Sequence, residues 1–371
     1  MGDNCADYES TDLNGHLGAL RAMKKAEPNL GIKNKARPEV TSGVRESAII
    51  ALNAFRREKL PYRIDHLLSS RINPIDTLVV SGFWRSGTTW LQESLAAHLK
   101  AKTVFEPLAP EAGEPNGLYE RDPVPAEYMS HYMPYCDPSG EIEAGRLRAF
   151  MDKALRSDLE GRVVRLARKG LSESFRTRVI LKFVRAPLLL RALQNTFSVP
   201  IIHIYRDPRA VFASVKTRRA HLGFDAFCLC EQLLEPRDGR AVFFESWRDE
   251  ILEYDRGDSA ARVTAYWALT ELFALHSFGE GQGNIVFLSY DELCRRRERC
   301  LSEAFEQLGL GYFSSDETRI LDADSWTTHR TRREGSVEKR LFGWRENLPN
   351  SEIETIESVV RRFGLADRLA C

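Results

Sequence analysis

The sequence of 371 residues predicts an α/β fold in which a parallel β-sheet is flanked by helices. Short apolar runs rich in branched residues recur along the chain, and such runs are typical of strands buried on both faces. Helical patterns lie between these runs, and alternating strands and helices imply parallel pairing with right-handed crossovers. A glycine-rich turn joins the first run to a helix, which is the usual place for a phosphate-binding loop.

The predicted strands follow one another along the chain. They are residues 77–81, 179–184, 201–205 and 285–289, with a shorter apolar run at 103–105. The helices have apolar residues at helical spacing. These residues are Leu91, Leu95 and Leu99; Val211 and Val215; the mostly apolar range 263–278; and Leu301, Phe305 and Leu308. A capping-box pattern at Ser351 and Glu354 predicts the start of the final helix.

Three segments lie outside this alternation. Residues 1–42 mix polar, charged and helix-breaking residues without a period, which indicates a flexible N-terminal arm. Residues 43–371 are predicted to form one domain, opening with a helix that ends before Pro61. The apolar positions of this helix are Ile49, Leu52, Phe55 and Leu60. Residues 107–178 are polar, and we predict an insertion over the carboxyl edge of the sheet, where such sheets bind ligands.

The composition excludes several classes of protein. The 53 basic and 53 acidic side chains give a formal net charge of zero, which argues against a nucleic-acid partner. No run of about 18 apolar residues is present, so we expect no membrane span, and the acidic opening residues do not fit a signal peptide. We therefore expect a soluble, cytoplasmic protein, whose oligomeric state the composition leaves open.

The seven cysteines are odd in number and scattered along the chain. The spacing of Cys228 and Cys230 fits neither a zinc knuckle nor a redox pair. We expect reduced thiols and no metal site.

The segment SGFWRSGTTW carries the strongest functional signal. Gly82 and Gly87 are placed as in the nucleotide-binding loop G-x-x-x-x-G-K-[ST], but Thr88 stands where that loop has its lysine. Arg85 supplies positive charge from inside the loop, and the amides of residues 86–90 open a helix whose N-terminus favours an anion. The sequence therefore predicts a P-loop-type anion site without the lysine that serves a nucleoside triphosphate.

A second anion site is predicted in the segment IIHIYRDPRAVFASVKTRR. Arg206 follows a strand, and Pro208 suits the first turn of a helix. Ser214 and Arg218 stand one helical turn apart and share a face of that helix. A solvated charged helix is the alternative interpretation.

These residues resemble a known family. SGFWRSGTTWL is similar to the loop of sulfotransferases that binds the 5′-phosphosulfate of the donor PAPS (3′-phosphoadenosine 5′-phosphosulfate), and IYRDPRAVFASVKTR is similar to their 3′-phosphate element. LKFVR, LSYDEL and THRTRREGSVEKRLFGWRENL match further segments in order. The resemblance covers residues 77–365 and is closest to the carbohydrate and tyrosylprotein branches. It implies a single sulfotransferase domain with PAPS as donor, PAP as product and no metal.

The resemblance also implies roles for individual residues in a donor-binding core made of residues 77–106 and 179–365. The 5′-phosphosulfate would be held by Arg85, Ser86, Gly87, Thr88, Thr89 and Trp90. The 3′-phosphate would be held by Arg206, Ser214 and Arg218. Tyr290 of LSYDEL, together with Lys339 and Arg340 of the basic C-terminal segment, would bind the donor as well, with Trp344 packed beside it. The remaining basic residues of that segment are Arg330, Arg332, Arg333 and Arg345.

The catalytic candidates are Arg85, Lys182 and Glu106. Lys182 would stabilise the bridging oxygen as it leaves, and Glu106 would act as the general base toward the acceptor. A solvated loop carboxylate or an ion pair with Arg85 are the alternatives for Glu106, and an exposed strand-end lysine is the alternative for Lys182. Weaker candidates for the base are His98, His131 and His203.

The expected acceptor is a hydroxyl of a small alcohol, phenol, metabolite or glycan. This range is wide because a fold does not determine the acceptor. The carbohydrate and tyrosylprotein branches usually carry a membrane anchor that this sequence lacks, which weakens the case for a glycan. Two other functions compete with sulfuryl transfer. One is a P-loop kinase or NTPase with Asp291 after its Walker B strand, which the missing lysine disfavours. The other is an inactive nucleotide-binding protein, which Glu106 and Lys182 disfavour.

Overall fold

The computed structural model describes residues 60–108, 132–160, 163–168, 170–217, 228–279, 283–311, 313 and 337–369. Its centre is a parallel sheet of five strands. The strands are β1 (Leu78–Ser81), β2 (Lys102–Phe105), β3 (Val179–Phe183), β4 (Ile201–Tyr205) and β5 (Ile285–Ser289). The predicted α/β class is confirmed, and each strand lies within one residue of its predicted bounds.

The helices of the described ranges surround this sheet. They are α1 (Leu60–Ser69), α2 (Thr88–His98), α3 (Arg146–Leu155), α4 (Leu190–Phe197), α5 (Pro208–Lys216), α6 (Leu229–Leu233), α7 (Ala241–Phe244), α8 (Arg248–Asp255), α9 (Ser259–Phe278), α10 (Tyr290–Arg295), α11 (Arg297–Gln307), α12 (Val337–Phe342) and α13 (Asn350–Arg362). None of the helices described has the length and apolar character needed to cross a bilayer.

The strand order β2-β3-β1-β4-β5 places β1 at the centre of the sheet. Val80 lies beside Lys182 of β3 and Ile202 of β4, so both neighbours are held in register with β1. Because all pairs are parallel, the carboxyl ends of the five strands meet at one edge of the sheet. The loops that follow β1, β2, β3 and β4 therefore converge there.

Alternating residues of β1 are buried on opposite faces of the sheet. Leu78 and Val80 belong to an apolar cluster with residues of α2 and α11. Val79 belongs to a second cluster with residues of α3 and α4. Burial on both faces explains why the strands appear in the sequence as continuous apolar runs.

The two ends of the domain differ from their predicted form. The residues of the helix predicted to end before Pro61 fall outside the described residues, except Leu60. The described part of α1 runs from Leu60 to Ser69 and so includes Pro61. The predicted capping box is wrong: α13 begins at Asn350 with Pro349 at the cap position, so Ser351 already lies inside the first turn.

A buried ionic cluster attaches α1 to the sheet. The fully buried Asp65 carboxylate lies 3.1 Å from Lys102 Nζ at the start of β2. Asp65 also pairs with Arg165 at 3.1 Å and with Arg168 at 2.5 Å. Burial lowers the pKa of Lys102, and the Asp65 carboxylate opposes that effect. One carboxylate is thus shared by three cations.

The segment 107–178 makes contacts at both ends of the sheet. Near the amino ends of the strands, Arg168 Nε donates to the Thr103 carbonyl at 3.0 Å and Arg156 Nη1 donates to the Ile72 carbonyl at 2.5 Å. At the carboxyl edge, the Tyr132 ring lies 4.1 Å from the Trp84 ring, centre to centre. Residues 109–131 of this segment, like the predicted arm 1–42, fall outside the described residues.

Candidate active site

The loop after β1 requires its two glycines for steric reasons. A Cβ at Gly82 would collide with the carbonyl oxygen of Ile204 in β4. A Cβ at Gly87 would lie 2.6 Å from the ring of Tyr290, and Gly87 has a φ of 91° that favours glycine. The loop is therefore pressed against β4 on one side and against α10 on the other.

The N-terminus of α2 lies at the end of this loop. Gly87 occupies the cap position, and because glycine has no side chain, it supplies no side-chain cap to the first amides of α2. The Ser86 hydroxyl is fully buried and has no hydrogen-bond partner in the part of the chain that the structure describes. Thr88 is buried, whereas Thr89 and Trp90 are partly exposed. The Ser86 amide donates to the Phe83 carbonyl at 3.2 Å, which leaves its hydroxyl as the available donor of that residue. This hydroxyl and the N-terminal amides of α2 form a suitable anion site.

The two predicted anion elements meet at Arg85. The Arg85 Nε donates to the hydroxyl of Ser214 in α5 at 2.8 Å. The Arg206 Nη1 in turn donates to the Arg85 carbonyl at 3.2 Å. The loop after β1 and the segment after β4 are thereby joined into one continuous basic site.

Arg206 also contacts the C-terminal part of the chain. Its guanidinium lies 4.5 Å from the centre of the Tyr290 ring, and its Nη2 donates to the Arg340 carbonyl at 2.9 Å. The Arg206 Nε is buried and has no hydrogen-bond partner among the described residues. Burial raises the pKa of Tyr290 to about 12, so a neutral phenol faces the guanidinium. Arg206 thus keeps donor capacity while it connects three segments.

An ion pair between Asp207 and Arg209, which was not predicted from the sequence, stabilises the start of α5. The Asp207 side chain accepts from the Arg209 amide at 2.8 Å as a helix cap and pairs with the Arg209 guanidinium at 2.7 Å. The same guanidinium lies 4.2 Å from the centre of the Trp344 ring and pairs with Glu357. The Trp344 ring is 5% exposed and belongs to the apolar core beside Arg209. Its packing beside the donor stays a prediction.

The predicted base and the predicted lysine form a buried ion pair. Glu106 follows β2, Lys182 belongs to the adjacent β3, and their Oε1 and Nζ atoms lie 2.7 Å apart. The Val184 amide donates to both oxygens of the Glu106 carboxylate, at 3.2 and 3.0 Å. Glu106 is 5% exposed and Lys182 is 4% exposed, so neither is a solvated surface residue. The alternative pairing of Glu106 with Arg85 is not observed.

Two opposing effects act on the pKa of the buried Lys182 side chain. Burial lowers the pKa of Lys182, whereas the neighbouring Glu106 carboxylate raises it. The Nζ atom lies 4.1 Å from the centre of the Phe105 ring, which adds a cation–π contact. Because Lys182 stands beside Val80 in the sheet, it lies next to the strand that leads into the anion loop.

Two residues of the site have backbone conformations that are rare outside glycine. Arg85 has a φ of 65° and Glu106 has a φ of 43°. Such conformations cost on the order of 1–3 kcal/mol each and are frequent at active sites. Both residues lie at the carboxyl edge of the sheet, Arg85 in the loop after β1 and Glu106 directly after β2.

The remaining candidates fall into different places. Lys339 is exposed on α12. His98 packs beside the rings of Phe305 and Phe313, and His203 is paired with buried Glu271. The contacts of these two histidines are therefore structural. Outside the described residues lie Arg218, His131, Arg330, Arg332 and Arg333.

The described cysteines are free, as predicted. Atoms of Cys228, Cys230 and Asp255 lie within 4.8 Å of one another, and Cys228 Sγ donates to Asp255 Oδ2 at 2.7 Å. Burial raises the pKa of Cys228 to about 11 and that of Cys230 to about 12. Both thiols hold their protons near neutral pH, and we interpret the group as a hydrogen-bonded cluster.

Comparison with known proteins agrees with the resemblance noted in the sequence. A model of the sulfotransferase domain family matches residues 75–361. The sequence has no match among the curated proteins with which it was compared.

Several solved structures are similar at low identity. The sulfotransferase domain from the curacin biosynthetic pathway is 18% identical, with 76% of this chain and 96% of that chain covered and a TM-score of 0.37. Mouse sulfotransferase SULT7A1 in complex with PAP is 14% identical, with 81% and 90% covered and a TM-score of 0.40. Retinol dehydratase in complex with androsterone and inactive cofactor PAP is 16% identical, with 82% and 85% covered and a TM-score of 0.38.

Proposed function

The chain belongs to the sulfotransferase domain family, and we propose that it transfers the sulfuryl group of PAPS to a hydroxyl of a small-molecule or glycan acceptor, releasing PAP. One observation carries this proposal. Hydrogen bonds through Arg85 join the two basic elements into a single site, at the sheet edge that also holds the buried Glu106–Lys182 pair. Such a site suits a donor with two separate anionic groups.

In this proposal the donor lies across the two basic elements. The amides of residues 86–90 and the Ser86 hydroxyl would bind the 5′-phosphosulfate. The Arg206 guanidinium and the Ser214 hydroxyl would bind the 3′-phosphate, with Arg85 between the two groups. The Tyr290 ring would hold Arg206 in place, because the guanidinium already lies against its face.

The proposed reaction is an in-line displacement at sulfur. The acceptor oxygen forms a bond to sulfur as the bond from sulfur to the bridging oxygen of PAPS breaks. The acceptor proton passes to the Glu106 carboxylate, and Lys182 stabilises the negative charge that develops on the bridging oxygen. The product PAP leaves with that charge, and the sulfuryl group remains on the acceptor.

Ligand-dependent stabilisation tests this function directly. PAP is expected to raise the melting temperature, because a ligand that binds the native state at 100 times its Kd adds about 2.7 kcal/mol of stability. ATP with Mg²⁺ is expected to stabilise less, since Thr88 replaces the lysine that reaches the terminal phosphates. Differential scanning fluorimetry with both ligands provides the measurement. Stabilisation by ATP and Mg²⁺ without any by PAP would favour the kinase or NTPase alternative.

The two arginines of the donor site can be tested separately. Arg85→Met and Arg206→Met should each weaken PAP binding by about 1.5–3 kcal/mol, the usual contribution of hydrogen bonds to charged groups. Isothermal titration calorimetry measures this change. Arg299→Met is the matched control, because Arg299 is exposed and pairs only locally with Glu303. Wild-type PAP affinity in both site variants would contradict the assignment.

The location of the protein and its partners stay predictions. We retain from the sequence a cytoplasmic enzyme with no nucleic-acid partner. The insertion 107–178 is proposed to shape the acceptor pocket, and Tyr132 supports this because its ring contacts Trp84 beside the anion loop.

A further inference from the structure

Arg185 is a buried cation that has no anionic partner among the residues that the structure describes. It lies two residues after the end of β3 and is 9% exposed. Its guanidinium is centred 3.7 Å from the middle of the Tyr132 ring. Within the described residues it makes no ion pair and no hydrogen bond. The face of an aromatic ring stabilises such a cation by only about 0.5–2 kcal/mol.

The other buried arginines of the described ranges are paired. Arg209 contacts the Asp207 carboxylate at 2.7 Å, and Arg240 contacts the Asp238 carboxylate at 2.6 Å. Both pairs use two nitrogens of the guanidinium. Because arginine is rarely buried unless it is paired, Arg185 lacks a partner that its environment calls for.

Arg185 lies next to the proposed catalytic pair. The amide of the preceding residue, Val184, holds the Glu106 carboxylate. The ring of Tyr132, on which Arg185 stacks, contacts Trp84, the neighbour of Arg85 in the anion loop. Arg185 is thereby connected both to the proposed base and to the aromatic side chains beside the anion loop. We expect an acceptor to place there the atoms next to its hydroxyl.

The side chain of Tyr266 packs with the same aromatic side chains. Its ring lies 5.7 Å from that of Trp84, centre to centre. Burial raises the pKa of Tyr266, and the positive charges of Arg240 and Arg185 oppose that effect. Tyr266 is thus a neutral phenol beside two positive charges. As a neutral group, it does not balance the charge of Arg185.

We propose that Arg185 binds an anionic oxygen group of the acceptor, so that the substrate is a hydroxyl compound carrying a carboxylate, phosphate or sulfate. This inference rests on the proposed sulfuryl transfer. A planar guanidinium donates two parallel hydrogen bonds to such groups, which fixes their orientation. The bound anion would supply the missing partner of Arg185 and direct the acceptor hydroxyl toward Glu106.

Matched acceptor pairs test this assignment. One panel consists of hydroxy carboxylates, including 4-hydroxyphenylacetate, each compared with its neutral amide. A second panel consists of hydroxyalkyl phosphates, each compared with the parent diol. With labelled PAPS, the anionic member of at least one panel should have a kcat/KM about tenfold or more above its neutral partner, as expected for charge-assisted hydrogen bonds.

Variants of Arg185 separate a specific contact from a general effect. Arg185→Met should reduce the ratio of anionic to neutral kcat/KM to about one, and Arg185→Lys should keep part of it, because lysine retains the charge without the bidentate geometry. Arg191→Met is the control, since Arg191 also lies against an aromatic ring, that of Phe278, but outside the site. This control should keep the wild-type ratio.

Three results would overturn the inference. The first is a wild-type enzyme that prefers the anionic acceptor in neither panel. The second is a preference for the anionic acceptor that survives in Arg185→Met. The third is an Arg185→Met enzyme that loses turnover equally with anionic and neutral acceptors, which would place Arg185 on the donor. Titration with PAP separates this failure from that of the proposed function. If PAP binds and neutral acceptors are sulfated without a charge preference, only the role of Arg185 is wrong.

Discussion

Glu106→Gln is expected to lower the turnover number by about 10²–10⁴-fold, the usual contribution of a general base. Glutamine keeps the shape of the side chain and an oxygen that can accept from the Val184 amide, but it cannot take the acceptor proton. PAP affinity should change little, because the donor contacts of Arg85 and Arg206 are intact. Labelled PAPS measures turnover, and calorimetry measures PAP binding.

The substitution also removes the partner of a buried lysine. Breaking a buried ion pair on one side typically costs about 3–5 kcal/mol of stability. The double variant Glu106→Gln, Lys182→Met removes the uncompensated charge and should recover part of that stability without recovering turnover. Normal turnover in folded Glu106→Gln would eliminate Glu106 as the base. Recovery of turnover in the double variant would show that the pair is only structural.

Lys182→Met is expected to lower turnover by about 10²–10³-fold, by analogy with the loss of one group that stabilises charge in a transition state. Methionine preserves most of the length and apolar character of the side chain, while the charge and its cation–π contact with Phe105 are lost. Lys182→Arg should restore only part of the rate, because the guanidinium does not fit the space of a buried ammonium.

Lys216→Met is the matched control for this experiment. Lys216 lies on α5 and pairs with Glu352, and its side chain is 36% exposed. Its removal should leave turnover unchanged. Single-turnover kinetics with PAPS separates the chemical step from product release. A Lys182→Met enzyme with a normal single-turnover rate would contradict a role for Lys182 in the chemical step.

The sequence predicts the framework of the site because that framework is local. Strands at 201–205 and 285–289 are continuous apolar runs, and the anion loop is a contiguous arrangement of Gly82, Arg85 and Gly87. The start of α5 is likewise a short-range feature, since Pro208 directly follows the strand end and suits the first turn of a helix. Each of these patterns has a physical meaning within a few residues.

Contacts between distant segments could not be predicted in the same way. Glu106 and Lys182 are 76 residues apart and meet only because β2 and β3 pair in register. The Arg85–Ser214 hydrogen bond joins residues 129 apart. The contact between the Trp344 ring and the Arg209 guanidinium joins residues 135 apart.

The buried cluster around Asp65 determines where a folded version of this protein can begin. The sulfotransferase match starts at residue 75, after α1. A recombinant chain cut at that boundary would leave Lys102 and Arg168 in the interior without the carboxylate they share. The N-terminal boundary of a folded fragment is therefore set by this buried ionic cluster and not by the extent of family similarity. Helix α1 belongs to the folding unit, so a truncated chain should begin before residue 60.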